Sequence, residues 1–430
     1  MTLMSDGSQI NPHNASLPTI NLDPQYAKLT VDIWANVQIG QEVVIICDSI
    51  HNELASHIEE SAYSRGASKV HPVFTNQNED RNRILDSSLS INDLSKLDQQ
   101  LHDLASHIAN VKGVSIRIVG RPDPDAFKDL DPARADALEK GHQLSLHPLT
   151  EVVMKGLTNR AVIAAPTVGW AHKVFPELPP EVAFEKLQRI IYQVSCVSAE
   201  NPMEEFLRQD AILERQRDKL QGLNLTGLRF VDEGTDLFVG LSEKALWLGA
   251  KKSTYGTNIP FYANVPIGEI FTTPDWRVTN GTVRITMPTI ISGQIVDGIE
   301  LKFKDGDLVG YSAKDGDAVL SHMIKRDMGA QRLGEIALVS MDSPLAQLGI
   351  LFNEILLDEK GRCHLAMGRA YLSNIIGGAL VDEVGIKTLG VNLPTSVHQD
   401  LMISGGNTKV IGIARGGKEV PLLEHGIWIN

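Results

Sequence analysis

The residues of this chain best suited by type and spacing to do chemistry are two histidines and three carboxylates between Gly268 and Asp400. In His398-Gln399-Asp400, an extended backbone turns residues i and i+2 to the same face, so an imidazole nitrogen and a carboxylate oxygen can converge on one centre. The apolar Leu401-Met402-Ile403 that follows predicts the end of a buried strand. Taken alone the His-x-Asp spacing is a weak signal, and a pair on a surface strand accounts for it about as well. His364 follows the acidic turn Asp358-Glu359-Lys360-Gly361 and precedes Leu365-Ala366-Met367, where a hydrogen-bonded core histidine is the plainer alternative. Tyr371, seven residues on, shares its face only if the segment is helical, and lies on the opposite face of a strand. Glu269 and Glu335 each follow a glycine and precede apolar residues, which threatens burial of a charge that then needs a cation or hydrogen bonds. A strand-end glutamate that reaches solvent is the alternative for each.

Two imidazoles with three carboxylates suit a divalent ion of intermediate hardness, such as zinc, cobalt or manganese. Five ligands exceed what one catalytic zinc takes, so a two-metal site is expected. Other chemistries lack their motifs. Cys47, Cys196 and Cys363 have no CxxC spacing, no Gly-x-Ser-x-Gly elbow is present, and Asp48-Ser49-Ile50-His51 stands where a dinucleotide-binding glycine loop would follow the first strand.

The elements that must position these residues fall into two textures. Buried-type apolar runs at Val43 to Cys47, Lys69 to Phe74, Val114 to Val119 and Ala161 to Ala165 alternate with helical segments. That alternation predicts right-handed crossovers and a parallel sheet. Leu54, Ile58 and Ala62 recur at helical spacing, with Gly66 placed to cap. Prolines at 176, 179 and 180 suggest a boundary, after which 182–194 reads as an amphipathic helix and Asn201-Pro202 as a capped helix start. Beyond Leu223 the chain becomes short strands with glycine turns, including a hairpin about Glu233-Gly234-Thr235-Asp236. The expected fold is thus an α/β N-terminal domain with a parallel sheet, plus a larger α+β, β-rich domain carrying the site. The expected divisions are a loose arm over 1–23, the α/β domain over 24–185 and the catalytic domain over 186–430.

Composition narrows the function classes. The chain has 430 residues, more than one core usually serves, which supports two domains. Its formal charge of -13 argues against nucleic acid as a partner. Neither a signal-peptide core nor a membrane-length apolar run is present, and the three scattered cysteines fit a reducing compartment, so a cytoplasmic location is expected.

The segments Asn264 to Pro274, Arg332 to Val339, Phe352 to Tyr371 and His398 to Ile403 closely resemble the thermophilic aminopeptidase family, also called the aminopeptidase T or M29 metallopeptidase family. The likeness extends to Asn36 to Gln41, Arg121 to Pro132, Trp170 to Pro176 and Gly234 to Leu237, and covers nearly all of the chain after residue 23. It implies metal ligands at Glu269, Glu335, His364, His398 and Asp400, a catalytic role for Tyr371, two bound divalent ions (zinc, cobalt, manganese or magnesium), and dimers around an enclosed cavity. It further implies removal of N-terminal amino acids from small peptides; among the carboxylates, Glu335 is the expected acceptor of the attacking water's proton. Residues 352–356 and 392–397 depart from the family's usual pattern while every ligand remains, which points to an altered substrate preference. Two other readings stay open: a metal-bound but inactive peptide-binding relative, and a separate small-molecule function in the N-terminal domain.

Overall fold

The structure, a computed structural model, describes residues 22–393 and 395–429. Nearly all of the expected arm lies outside the described residues, and Asp23 opens the first helix.

Five parallel strands form the first sheet, in the order Lys69–Thr75, Glu42–Asp48, Val114–Val119, Arg160–Ala164, Asn264–Val265. The first four are the apolar runs expected from the sequence, and helices cover both faces as a parallel sheet requires. Val43, Ile45, Ile116 and Ile163 are fully buried with Leu54, Ile58 and Ala62 of the helix Asn52–Ser64. Gly66 adopts a φ of 97°, the left-handed conformation suited to a helix end. The fifth strand comes from far along the chain. Pairing of Asn264 and Val265 with Val162 and Ile163 anchors the backbone immediately before Glu269 to the N-terminal sheet.

The remaining strands form two larger antiparallel sheets and two short hairpins. In the eight-stranded sheet, Leu225–Asp232 and Thr235–Leu241 make the expected hairpin around Glu233-Gly234. The four-stranded sheet runs Ile270–Thr272, Leu333–Leu338, His364–Gly368, His398–Met402. One face of it, with Ile336, Leu338, Leu365, Met367 and Leu401, packs into a core shared with Leu228, Phe230, Leu237 and Val239 of the larger sheet. Its other face carries the candidate site, so strict alternation separates core from chemistry along each strand.

One local expectation fails. The helix Pro202–Gly222 does begin at the predicted proline, but Asn201 does not cap it: the side-chain amide instead donates to Glu204 Oε2 at 2.9 Å. The long helix Pro132–Met154 ties the two parts together, through the ion pairs Asp136–Arg326 and Glu151–Arg369.

Candidate metal centre

On the free face of the four-stranded sheet, strand register lines up the candidate residues. Glu335 lies opposite Ala366, and Ala366 opposite Asp400, so a methyl group separates two carboxylates on neighbouring rows. His364 sits opposite Ala337, and His398 opposite Gly368. Gly368 has a φ of 102°, and a Cβ there would meet the Val397 carbonyl oxygen at 2.1 Å, so only glycine lets the His398 segment approach. Gly334 is required for a similar reason, since a Cβ would lie 2.3 Å from the Gly368 carbonyl oxygen.

Glu269 joins this face from the turn that leads from the parallel sheet into Ile270–Thr272. His364 Nε2 is 3.4 Å from Glu269 Oε2 and 3.8 Å from Glu335 Oε1. His398 Nε2 is 3.8 Å from Glu335 Oε2 and 3.7 Å from Asp400 Oδ1. These separations are long for hydrogen bonds, yet ligands held at about 2.0–2.2 Å from a common ion stand roughly 3.4 Å apart. Each imidazole is oriented from behind: His364 Nδ1 meets the Arg362 carbonyl oxygen at 3.1 Å, and His398 Nδ1 the Arg369 carbonyl oxygen at 2.6 Å. A carbonyl only accepts, so Nδ1 carries a proton and Nε2 is the nitrogen turned to the cluster, able to offer a lone pair to an ion once it is deprotonated. Glu269 Oε2 is buried and has no hydrogen-bond partner, a costly state for a carboxylate that a cation would relieve. The donor set therefore fits divalent ions.

Three charged residues here, Glu359, Lys360 and Lys252, are not marked by the sequence. The Asp358-Glu359-Lys360 turn looks solvated by composition, but Glu359 and Lys360 are buried, and Lys360 is only 1% exposed. Lys360 Nζ lies 2.6 Å from Glu269 Oε1 and also pairs with Glu359, while Glu359, His364 and Asp400 form a second set of converging donors. Nothing in the spacing marks Glu359, because the burial comes from folding the turn under the sheet. The Lys252 ammonium stands 4.4 Å from the Phe271 ring centre and 5.1 Å from that of Tyr371. With Asn264, Gly268, Glu269, Phe271 and Lys360 it lines a recess beside the cluster.

The electrostatics follow from crowding acids in a dry place. Burial opposes a charge on His364, but the carboxylates of Glu335, Glu269, Asp400 and Glu359 outweigh it and push its pKa up to about 10. Burial, reinforced by Glu269 and Asp400 against the pull of Lys360, raises Glu359 to about 8. Glu269 also suffers burial, yet Lys360 and His364 bring it below the usual carboxylate range. Burial, aided by Arg160, lowers Lys252 to about 7 against Glu335 and Glu269. In the metal-free chain the cluster thus captures a proton for want of a stronger cation.

Tyr371 reaches the same face, though not by the helical route. His364–Gly368 is a strand, and Tyr371 follows it in a turn that swings back over His398. Burial raises its pKa, with Arg160 opposing and Glu335, Asp400 and Glu359 adding to the rise, so the hydroxyl keeps its proton.

A sequence model described as thermophilic metalloprotease (M29) matches residues 21–428. "Aminopeptidase T" of Thermus aquaticus is 32% identical over 413 residues, covering 96% of this chain and 99% of that protein. "Aminopeptidase AmpS" of Bacillus subtilis is 32% identical over 403 residues, covering 94% and 97%. Among solved structures, wild-type AmpT from Thermus thermophilus superposes with a TM-score of 0.84 at 30% identity, covering 95% of this chain and 99% of that one.

Proposed function

We propose, from the premise that this chain belongs to the thermophilic metalloprotease (M29) family, that it is a metallo-aminopeptidase whose centre is built from Glu269, Glu335, His364, His398 and Asp400. The observation that carries the reading is the convergence of two backbone-oriented Nε2 atoms on carboxylate oxygens at 3.4–3.8 Å, beside a buried carboxylate oxygen without a partner.

Divalent ions bound there would supply Lewis acidity and a water whose pKa is brought toward neutrality. The buried ammonium of Lys360 pairs with Glu269 and Glu359, while Glu335 and Asp400 face the two histidines. Five ligands exceed what one catalytic ion takes, so we adopt two divalent ions as the loading, with zinc, cobalt, manganese and magnesium as the candidates. Glu335, whose two oxygens face different histidines, takes the proton of the attacking water and passes it to the leaving amine. The Tyr371 hydroxyl donates a hydrogen bond to the oxyanion of the tetrahedral intermediate. The negative potential of the cluster also favours a substrate that presents a free α-ammonium group, which accounts for a preference for peptide N-termini.

The surroundings belong to the same reading. Substrates are small peptides, two copies of the chain assemble around the cavity, and the enzyme works in the cytoplasm. Among the described residues no helix is long and apolar enough to cross a membrane. The chain divides near residue 185 into the α/β part and the catalytic part. The test is hydrolysis of a leucine chromogenic amide before chelation, after chelation, and after adding back each metal with bound metal quantified. Activity lost and restored at about two ions per chain supports the reading, whereas bound metal without turnover on that amide or a panel of dipeptides rules out the enzyme.

A further inference from the structure

In the N-terminal part, a second group of ligating side chains stands where the parallel sheet meets a helix. Glu42 opens the strand Glu42–Asp48, His71 lies in Lys69–Thr75, and His107 lies in the helix Gln99–Asn110. Val44 is the parallel partner of His71, so Glu42 and His71 share one sheet face. On that face Val44, Ile46 and Val73 pack against Leu104, Ala105 and Ile108 of the helix. This apolar contact fixes the helix against the sheet and brings His107 over the end of the strand pair.

Both imidazoles aim the same atom at the same oxygen. Glu42 Oε2 is 2.7 Å from His71 Nε2 and 3.0 Å from His107 Nε2. The ring centres are 6.1 Å apart with planes at 62°, so the rings are splayed around the carboxylate rather than stacked. One ligand atom from each of the three lies within 4.8 Å of the others. We propose that Glu42, His71 and His107 form an accessory site for a divalent transition-metal ion, best suited to zinc, that clamps the two strands to the helix.

Two imidazole nitrogens and one carboxylate oxygen are a donor set of three-ligand zinc sites, with a fourth position left to water. Nitrogen donors disfavour magnesium and calcium, which take oxygen ligands. Bringing the donors to about 2.0–2.2 Å from one ion requires the contacts of 2.7 and 3.0 Å to widen by about 0.7 and 0.4 Å, to roughly 3.4 Å. Hydrogen bonds from both histidines hold the Glu42 carboxyl below its usual range, so it is anionic at neutral pH. His107 is 48% exposed and gives the ion access from solvent, while His71 at 13% and Glu42 at 20% supply the enclosed side. A neutral imidazole nitrogen either donates its proton to the carboxylate or offers its lone pair to zinc. Zinc therefore replaces the two hydrogen bonds rather than adding to them.

The test compares the full-length wild type with the double variant His71→Gln/His107→Gln, both with the catalytic centre loaded first. After equilibration with micromolar zinc and removal of unbound ion, total transition metal per chain is measured. The variant should hold one ion fewer, keep its leucine-amide turnover, and lose a zinc-dependent rise in melting temperature that the wild type shows. Glu42→Gln guards against a folding artefact, because it keeps both histidines and an acceptor oxygen. It should weaken zinc binding at this site by roughly tenfold or more while melting like wild type without zinc. Equal metal content in wild type and double variant, or unaltered zinc affinity in Glu42→Gln, overturns the proposal and leaves a hydrogen-bonded staple.

Discussion

Tyr371 meets the imidazole of His398 edge to face, with ring centres 4.9 Å apart and planes at 73°. The contact fixes the phenol beside a proposed ligand. Raised by burial, its pKa keeps the hydroxyl a donor throughout the working pH range. Tyr371→Phe retains the ring and therefore the packing, and removes only the oxygen. It should fold, bind the wild-type complement of metal, and lose on the order of 10²–10³ in kcat. Near-normal turnover of the leucine amide would remove Tyr371 from the mechanism.

Lys360 holds a different kind of position, a buried ammonium between Glu269 and Glu359. Burial works against its charge, but the two carboxylates outweigh that and raise its pKa. Lys360→Met fills similar space and leaves both acids uncompensated, at a cost of about 3–5 kcal/mol to the metal-free protein. Urea unfolding should show this loss most strongly after chelation and less strongly with metal bound, since an added cation answers the same charge. An unchanged urea midpoint in the chelated variant would mean that Lys360 is not the internal counter-ion.

These two residues and the histidines differ in how far local sequence discloses their place in the fold. His398-Gln399-Asp400 betrays its geometry because strand alternation is local, and the four apolar runs of the parallel sheet are legible for the same reason. Asn264–Val265 is different: its membership of the N-terminal sheet rests on pairing with Val162 and Ile163, a hundred residues away in sequence on the order of magnitude, and no local pattern announces it. Glu359 and Lys360 share that fate, because a charged turn looks the same whether it meets water or is folded beneath a sheet. The position of Tyr371 depends on the turn after Gly368, which periodicity does not describe.

The protonation of the metal-free cluster gives a pH dependence of definite sign. His364 has a pKa near 10 when folded against 6.5 in an unperturbed imidazole. The stability it contributes is complete below about pH 6.5 and is lost as the pH rises through about 10. Glu359, at about 8 instead of 4.5, acts in the same direction, its contribution declining as the pH rises from 4.5 through 8. The chelated protein should therefore lose stability between pH 7 and 10. Metal must displace these protons, so apparent affinity should climb over the same interval with proton release. Calorimetric titration in buffers of different ionisation enthalpy checks it, and a heat of binding independent of buffer would contradict the assignment.

His398 offers the cleanest test of the ligand set, because its two ring nitrogens face different partners. Nδ1 is committed to the Arg369 carbonyl oxygen, and Nε2 faces Glu335 and Asp400. Its strand is held independently by pairing of Gln399, Asp400, Leu401 and Met402 with residues 364–367. His398→Ala therefore removes a donor without removing the strand. The variant should keep its circular-dichroism spectrum, bind at least one ion fewer per chain, and lose activity that added metal at moderate concentration does not restore. His398→Gln, which keeps a polar group of similar reach but no imidazole lone pair, should behave as the alanine variant does if ligation is the role. If instead both variants retain the full metal content, His398 serves only to seat Tyr371, and the centre must be assembled from Glu269, Glu335, Glu359, His364 and Asp400 alone.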